Sequence, residues 1–305
     1  MKKVIITGID GFIGTALCCK LMEKYHIIGI DRNNKNGYKN TETFEFYHQD
    51  INDSLPDIED IFAVIHLAAN PGVRDSHEKF ESVCRDNILG TQSIIRKCIE
   101  SWKPEKLLIA SSSSVYGDEG YDGRDLVEEE GRHARSPYGM SKIADELLID
   151  TYKSCGLLDG IECASMRFFT VYGPNQRNEL AIRAFTDWIL RDEPITLYGD
   201  GEQIRDFTHI DDICDGIQAL MENELKHDIY NIGSNYAISI NRIIYMIAKY
   251  LNKNVTINYQ PRNRYDVDRT LANIDRIYED TKWYPKVRFE DGLRQQIEWQ
   301  KKKIT

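Results

Sequence analysis

The chain has 305 residues and a formal net charge of −10 at pH 7, long enough for one large core or a large domain with a smaller one attached. The acidic balance speaks against a nucleic-acid partner, which wants a basic footprint; no apolar run approaches membrane-spanning length, and the N-terminus has no signal-peptide pattern. The 7 cysteines show no CxxC pair or metal-type spacing, so a reduced, cytoplasmic protein without a metal centre is expected.

The opening "MKKVIITG" enters a strand at Val4–Thr7. Further β-rich apolar runs follow at Ile27–Ile30, Phe44–His48, Ala63–Ala68, Lys106–Ala110 and Ile161–Phe169. Runs this apolar suit strands covered on both faces, as in a parallel sheet. Helical patterns lie between them, notably Ser82–Ser101 and Tyr138–Ser154. After Val171–Pro174 the alternation loosens into a helix near Leu180–Leu190, strands at Ile195–Tyr198 and Ile229–Gly233, and helices at Asn241–Leu251 and near Gly292–Lys303. The pattern predicts an α/β fold, a doubly wound parallel sheet with a smaller mixed α/β substrate domain. Residues 1–170 plus about 206–235 are assigned to the first domain, and about 171–205 plus 236–305 to the second.

"TGIDGFIG", Thr7–Gly14, sits between the first strand and a helix. Gly8 permits the tight turn, Gly11 lets backbone approach a pyrophosphate, and Gly14 permits close helix–strand packing. The helix N-terminus offers amide donors and positive potential to phosphates. Asp31 closes the second strand, placed to accept hydrogen bonds from an adenosine ribose and to repel a 2′-phosphate. This is a Rossmann-type dinucleotide site, and NAD is favoured over NADP; Arg32 next door weakens that preference.

Tyr138 and Lys142 stand four residues apart in "YGMSK", on one face of a helix. A free tyrosine, with a pKa of about 10, is a poor base at neutral pH. A neighbouring ammonium and an oxidised nicotinamide would both stabilise its anion.

With "TGIDGFIG", "HLAA", "NILGT", "SSSSVYG", "YGMSK", "RFFTVYGP" and "GDGEQIRDFTHIDD" in this order, the chain resembles the extended short-chain dehydrogenase/reductase family, in its nucleotide-sugar epimerase and dehydratase branch. The resemblance implies NAD as a bound, regenerated cofactor and a nucleotide-sugar substrate, most closely a UDP-sugar. It implies Tyr138 as the base for the sugar 4-hydroxyl, Lys142 as the residue that binds the nicotinamide ribose, and Ser112 as the hydroxyl on the 4-oxygen. Ser111 would be a backbone-level neighbour of the cofactor. Dehydratases of the branch typically carry Asp and Glu where Ser113 and Ser114 stand; serine hydroxyls cannot replace them in an elimination, so C4 epimerisation is favoured. The two serines would then hold a polar C6 group.

Further contacts follow from the same resemblance. Phe12 and Ile13 belong to the glycine loop, and Asp50 and Ile51 match an adenine-edge contact. Leu67, Ala68 and Ala69 end the fourth strand beside the cofactor, Asn87 matches a buried asparagine near the site, and Phe168 lies by the nicotinamide. Thr170 would face the sugar; Arg74 would meet an anionic sugar or lie on the surface. Tyr198 would stack on the base, Arg205 would fork onto the diphosphate, and Asp266 would bind the ribose. One stretch departs from the pattern: in "PRNRYDVDRT" the position three before Asp266 is Asn263, flanked by Arg262 and Arg264. The resemblance also implies a homodimer pairing the helices Ser82–Ser101 and Tyr138–Ser154. The rival readings are a dehydratase or decarboxylase of the same family and a non-catalytic NAD-binding sensor.

Overall fold

A computed structural model describes residues 1–304. Its strands are β1 (Lys3–Thr7), β2 (His26–Asp31), β3 (Phe44–His48), β4 (Ile61–His66), β5 (Lys106–Ser112), β6 (Glu162–Phe168), β7 (Thr170–Tyr172), β8 (Ile195–Tyr198), β9 (Ile204–His209), β10 (Ile229–Ile232), β11 (Ala237–Ser239) and β12 (Ile257–Gln260). Seven form one sheet in the order β10-β6-β5-β4-β1-β2-β3, every neighbouring pair parallel. Successive side chains point to opposite faces of a strand, and both faces here are apolar. Val4, Ile6, Ile65 and Leu108 enter one core cluster; Ile5, Val64, Leu107 and Ile109 enter the other.

The helices are α1 (Phe12–Leu21), α2 (Phe80–Val83), α3 (Gly90–Lys97), α4 (Pro137–Ser154), α5 (Ala181–Leu190), α6 (Ile210–Glu222), α7 (Ile240–Leu251), α8 (Asp275–Thr281) and α9 (Phe289–Ile304). A wider π turn at Cys84–Leu89 joins α2 to α3, and a second at Cys98–Trp102 extends the same helical rod. The remaining strands make two small sheets, β11-β9-β7 and β12-β8, over a third core that includes Phe185, Leu197, Phe207 and Ile244. Among the described residues no helix is long and apolar enough to cross a membrane.

Two features place the site. The strand order reverses between β1 and β4, and the crevice at the carboxyl ends of such strands is where doubly wound sheets bind ligands. The Asp206 carboxylate, fully buried, also ties the small sheet to the large one. It accepts hydrogen bonds from the Ser234 amide at 2.8 Å, just past β10, and from the Ala272 amide at 3.2 Å.

Candidate active site

A cavity of about 450 Å³ opens along the ends of β1, β2, β4, β5 and β6. Gly8, Gly11, Phe12, Ile13 and Gly14 line one wall. Gly8 has φ +71°, and a Cβ there would lie 2.7 Å from the Ala68 amide nitrogen. Only glycine satisfies both the turn and that approach.

Asp31, Arg32, Asp50 and Ile51 line the next part. The Asp31 carboxylate accepts from the Asp10 amide at 3.0 Å and the Asn33 amide at 2.9 Å. A carboxylate has about four acceptor sites, so capacity remains for a ribose. Arg32 donates to Asp86 at 2.9 Å, with Asp50 3.9 Å away. Both carboxylates counter its charge. Asp10, on the glycine loop, accepts from the amides of Lys35 and Asn36 and fixes the segment that follows Arg32.

Leu67, Ala68 and Ala69 also line the cavity. The fourth strand stops at His66, so they occupy the loop just beyond it. Phe168 and Thr170 line the floor from the β6–β7 junction.

The serine run divides as its hydrogen bonds dictate. Ser111 is buried, and its hydroxyl donates to Glu146 Oε1 at 2.7 Å. Arg167 grips both oxygens of Glu146 at 2.9 Å, and Arg132 adds a third contact at 2.9 Å. Burial pushes the Glu146 carboxyl up, but Arg167, Ser111 and Arg132 outweigh it and hold it below the usual glutamate range. Ser112 ends β5, accepts from the Ser114 amide at 3.1 Å and donates to the Ser114 hydroxyl at 3.1 Å. It therefore caps the tight turn Ser113–Val115, which Val115 and Tyr116 anchor in a small apolar cluster. Ser111, Ser112, Ser113 and Ser114 all line the cavity.

Helix α4 is set against this turn by local sequence. Ser136 caps α4 by accepting from the Gly139 amide at 3.1 Å, and Pro137 starts its first turn. A Cβ at Gly139 would lie 2.7 Å from the Ser114 carbonyl oxygen. Glycine there lets Tyr138 and Lys142 come down beside the serines, and both line the cavity. The Lys142 ammonium donates to Asp145 at 3.0 Å. Burial acts to lower its pKa, but Asp145, Tyr138 and Glu146 outweigh this and leave it above the ordinary lysine value.

Five expected contacts lie elsewhere. Asn87 is fully buried and outside the cavity lining. Its side chain accepts from the Asn70 amide at 2.7 Å and donates to Ser141 at 2.8 Å, so it braces the loop after β4 against α4. Arg205 donates to the backbone carbonyls of Ile204, Val267 and Asp268 and holds the 262–268 segment. Neither Asp206 nor Asp211 pairs with it among the described ion pairs. Arg74 and Tyr198 meet at 5.0 Å, cation over ring, and Arg74 lies 3.5 Å from Asp266. Asp266 joins Arg135, Arg262, Asn263, Arg264 and Asp268 around a second, smaller hollow.

Arg177 is a cavity residue that the motifs do not single out. It pairs at 3.1 Å with Glu179, which is 65% exposed. Its one signal in sequence is a basic residue in the polar loop "GPNQRNEL", between β7 and α5. Asp86, the partner of Arg32, sits within a helical rod where nothing in the sequence marks it.

The profile of the NAD-dependent epimerase/dehydratase family matches residues 4–233. A UDP-glucuronate 4-epimerase of Thermodesulfobacterium geofontis is 34% identical over 322 residues, covering 100% of this chain and 98% of that protein. The chain belongs to the NAD-dependent epimerase/dehydratase family. Solved structures of this family superpose along its whole length. MoeE5 in complex with UDP-glucose and NAD matches with a TM-score of 0.91 and 31% identity, covering 99% of this chain and 100% of that one. The UDP-glucuronic acid 4-epimerase from Bacillus cereus, in complex with UDP-glucuronic acid and NAD, matches with a TM-score of 0.89 and 33% identity, covering 98% and 99%. NAD is the family's cofactor, and the cavity fits it. The cradle at Gly8 is one a side chain would fill, Asp31 retains free acceptor capacity, and Lys142 presents a charged donor.

Proposed function

We propose that this protein is a UDP-sugar C4 epimerase whose preferred sugar is a uronic acid. The observation that carries the reading is one wall of the cavity. It brings Tyr138 and Lys142 together with Ser112, Ser113 and Ser114, and places no carboxylate at the serine turn. Hydroxyls at that turn can hold and orient a sugar but cannot run an elimination at neutral pH.

In this reading the glycine loop, Asp31 and Lys142 hold the cofactor. NAD, when bound there, would supply the hydride acceptor and donor for sugar C4. Tyr138 accepts the 4-hydroxyl proton as the 4-keto sugar forms and gives it back as the inverted alcohol forms. Lys142 stabilises the tyrosine anion by charge. Ser112 hydrogen-bonds the 4-oxygen in both states. Ser113, Ser114 and Thr170 donate to the sugar carboxylate, and Arg177 supplies the matching charge. Guanidinium–carboxylate pairs are strong and directional, which is why Arg177 favours a uronic acid over a neutral hexose. At the nucleotide end, Arg135, Arg262 and Arg264 replace Arg205 as diphosphate candidates, with Arg205 acting through the segment it braces. Relatives named as UDP-glucuronate 4-epimerases support the sugar assignment.

We also propose that two copies pair through the rod 80–102 and α4, where Phe80, Leu89, Met140 and Leu147 are 48%, 57%, 37% and 47% exposed. The deciding experiment incubates the protein with UDP-glucose, UDP-N-acetylglucosamine and UDP-glucuronate and follows C4 configuration by proton NMR. Fastest inversion with UDP-glucuronate is expected. Release of carbon dioxide, or build-up of free 4-keto sugar, would mark a decarboxylase or dehydratase instead.

A further inference from the structure

The charge beneath the cavity is arranged more closely than the Tyr138–Lys142 pair requires. Lys142 is 2% exposed and Asp145 fully buried. An ammonium has three donors; the bond to Asp145 at 3.0 Å is the one that Lys142 makes within the protein among the described residues. Lys142 lines the cavity and Asp145 does not, so Asp145 holds the lysine from behind and leaves two donors for the ligand side.

Asp145 is itself approached by a chain of polar groups from the sheet. Burial raises the Asp145 carboxyl above the ordinary aspartate value; Lys142 and, after it, Thr91 act to favour the anion. The Thr91 hydroxyl lies 3.0 Å from His66 Nε2, and His66 Nδ1 lies 2.6 Å from the Thr7 hydroxyl. Thr7 in turn accepts from the Ala68 amide at 3.3 Å. Burial, with a smaller push from Lys142, takes His66 down to about 3, so the ring is neutral, with one donor and one acceptor. With Thr7 donating to Nδ1 and Nε2–H donating to Thr91, the Thr91 proton is left for Asp145. Asp145 Oδ1 is buried, makes no hydrogen bond among the described residues, and is open to that proton. The chain starts at Thr7, bonded to Ala68 on the cavity wall, and ends at Lys142.

We propose that Asp145 is a positioning residue for the reaction: it keeps Lys142 protonated and aims its two remaining donors at the cofactor ribose and Tyr138, while Thr91, His66 and Thr7 hold Asp145 in place. The inference rests on the roles given above to Tyr138 and Lys142. The groups that face Lys142 are Tyr138, Asp145 and Glu146 on α4 and His66 on β4. His66 is neutral, and Glu146 is already closed by Arg167 and Arg132. Asp145 therefore contributes most, ahead of Tyr138 and Glu146, to offsetting the burial that would otherwise strip the lysine of its proton.

The test uses the holoenzyme and its Asp145→Asn and Thr91→Val variants between about pH 6 and 11, a range that spans the ordinary lysine value of about 10.4. Two quantities are read at each pH: NAD retained through gel filtration, and kcat/KM. In Asp145→Asn both should fall on the alkaline side at least about one pH unit earlier than in the wild type, a tenfold change in the lysine's proton affinity. Thr91→Val should move them the same way by less, and it decides the matter if Asp145→Asn does not fold. Wild-type pH profiles in whichever variant is measured, with only a lowered melting temperature, would overturn the inference and leave Asp145 a structural residue. Tyr138→Phe keeps the two claims apart. It should abolish turnover while retaining NAD with the wild-type pH dependence, and full turnover there would refute the assigned base instead.

Discussion

Beneath the cavity, the side chains of Lys142, Asp145, Glu146 and Arg167 are no more than 2% exposed, and each is paired with another of the set. On the loops around the cavity and the smaller hollow, Arg177, Arg262 and Arg74 are 34%, 45% and 52% exposed. A buried ion pair that loses one member leaves an uncompensated charge in the core. An exposed pair is worth little and exchanges partners at small cost. The difference suits a division of labour. The groups assigned to chemistry are set by the sheet and α4, and the groups assigned to substrate choice sit on loops whose contacts can be remade around a ligand.

Mutations in the two regions should differ accordingly. Tyr138→Phe is expected to lower kcat by about 10²–10⁴-fold, the usual range for a lost general base, with NAD retained by absorbance at 260 nm. Glu146→Ala leaves Arg167 buried without its carboxylate and should cost about 3–5 kcal/mol in denaturant unfolding. Because Glu146 is held below its ordinary value, its contribution is fully present above the unfolded glutamate value of about 4.3. That contribution is lost as pH falls through the lower folded value, so acid unfolding of the wild type should begin there. Arg177→Gln should reduce kcat/KM for UDP-glucuronate by about 10–100-fold and leave that for UDP-glucose within about threefold, the loss of one charge-assisted contact. Arg74→Ala should raise KM by less than about fivefold, since its partner Asp266 is an exposed-pair contact. An effect at Arg74 as large as that at Glu146 would break the contrast.

Much of the buried half was legible because its determinants are local. Thr7–Gly14 lies between a strand and a helix, and Tyr138 and Lys142 share a helix face by spacing alone. Ser136-Pro137 marks the start of that helix in the sequence as it does in the fold. Local pattern stopped short where strands end: Leu67–Ala69 read as strand but lie past it, because the ladder to β1 closes at His66. The outer half depends on contacts across long stretches of chain. Arg205 meets carbonyls 62 and 63 residues away, and Arg74 meets Asp266 far along the chain. Asp145 and Glu146 are neighbours in sequence with different duties, and only the position of Arg167 on β6 shows which one Lys142 keeps.

The most direct test of the account uses UDP-glucuronate carrying deuterium at C4, followed by proton NMR in ordinary water. An epimerase that moves the C4 hydride through tightly bound NAD predicts a C4-inverted product that keeps its deuterium, with no carbon dioxide released. Solvent hydrogen at C4 of the product, or loss of the carboxylate without inversion, would contradict it.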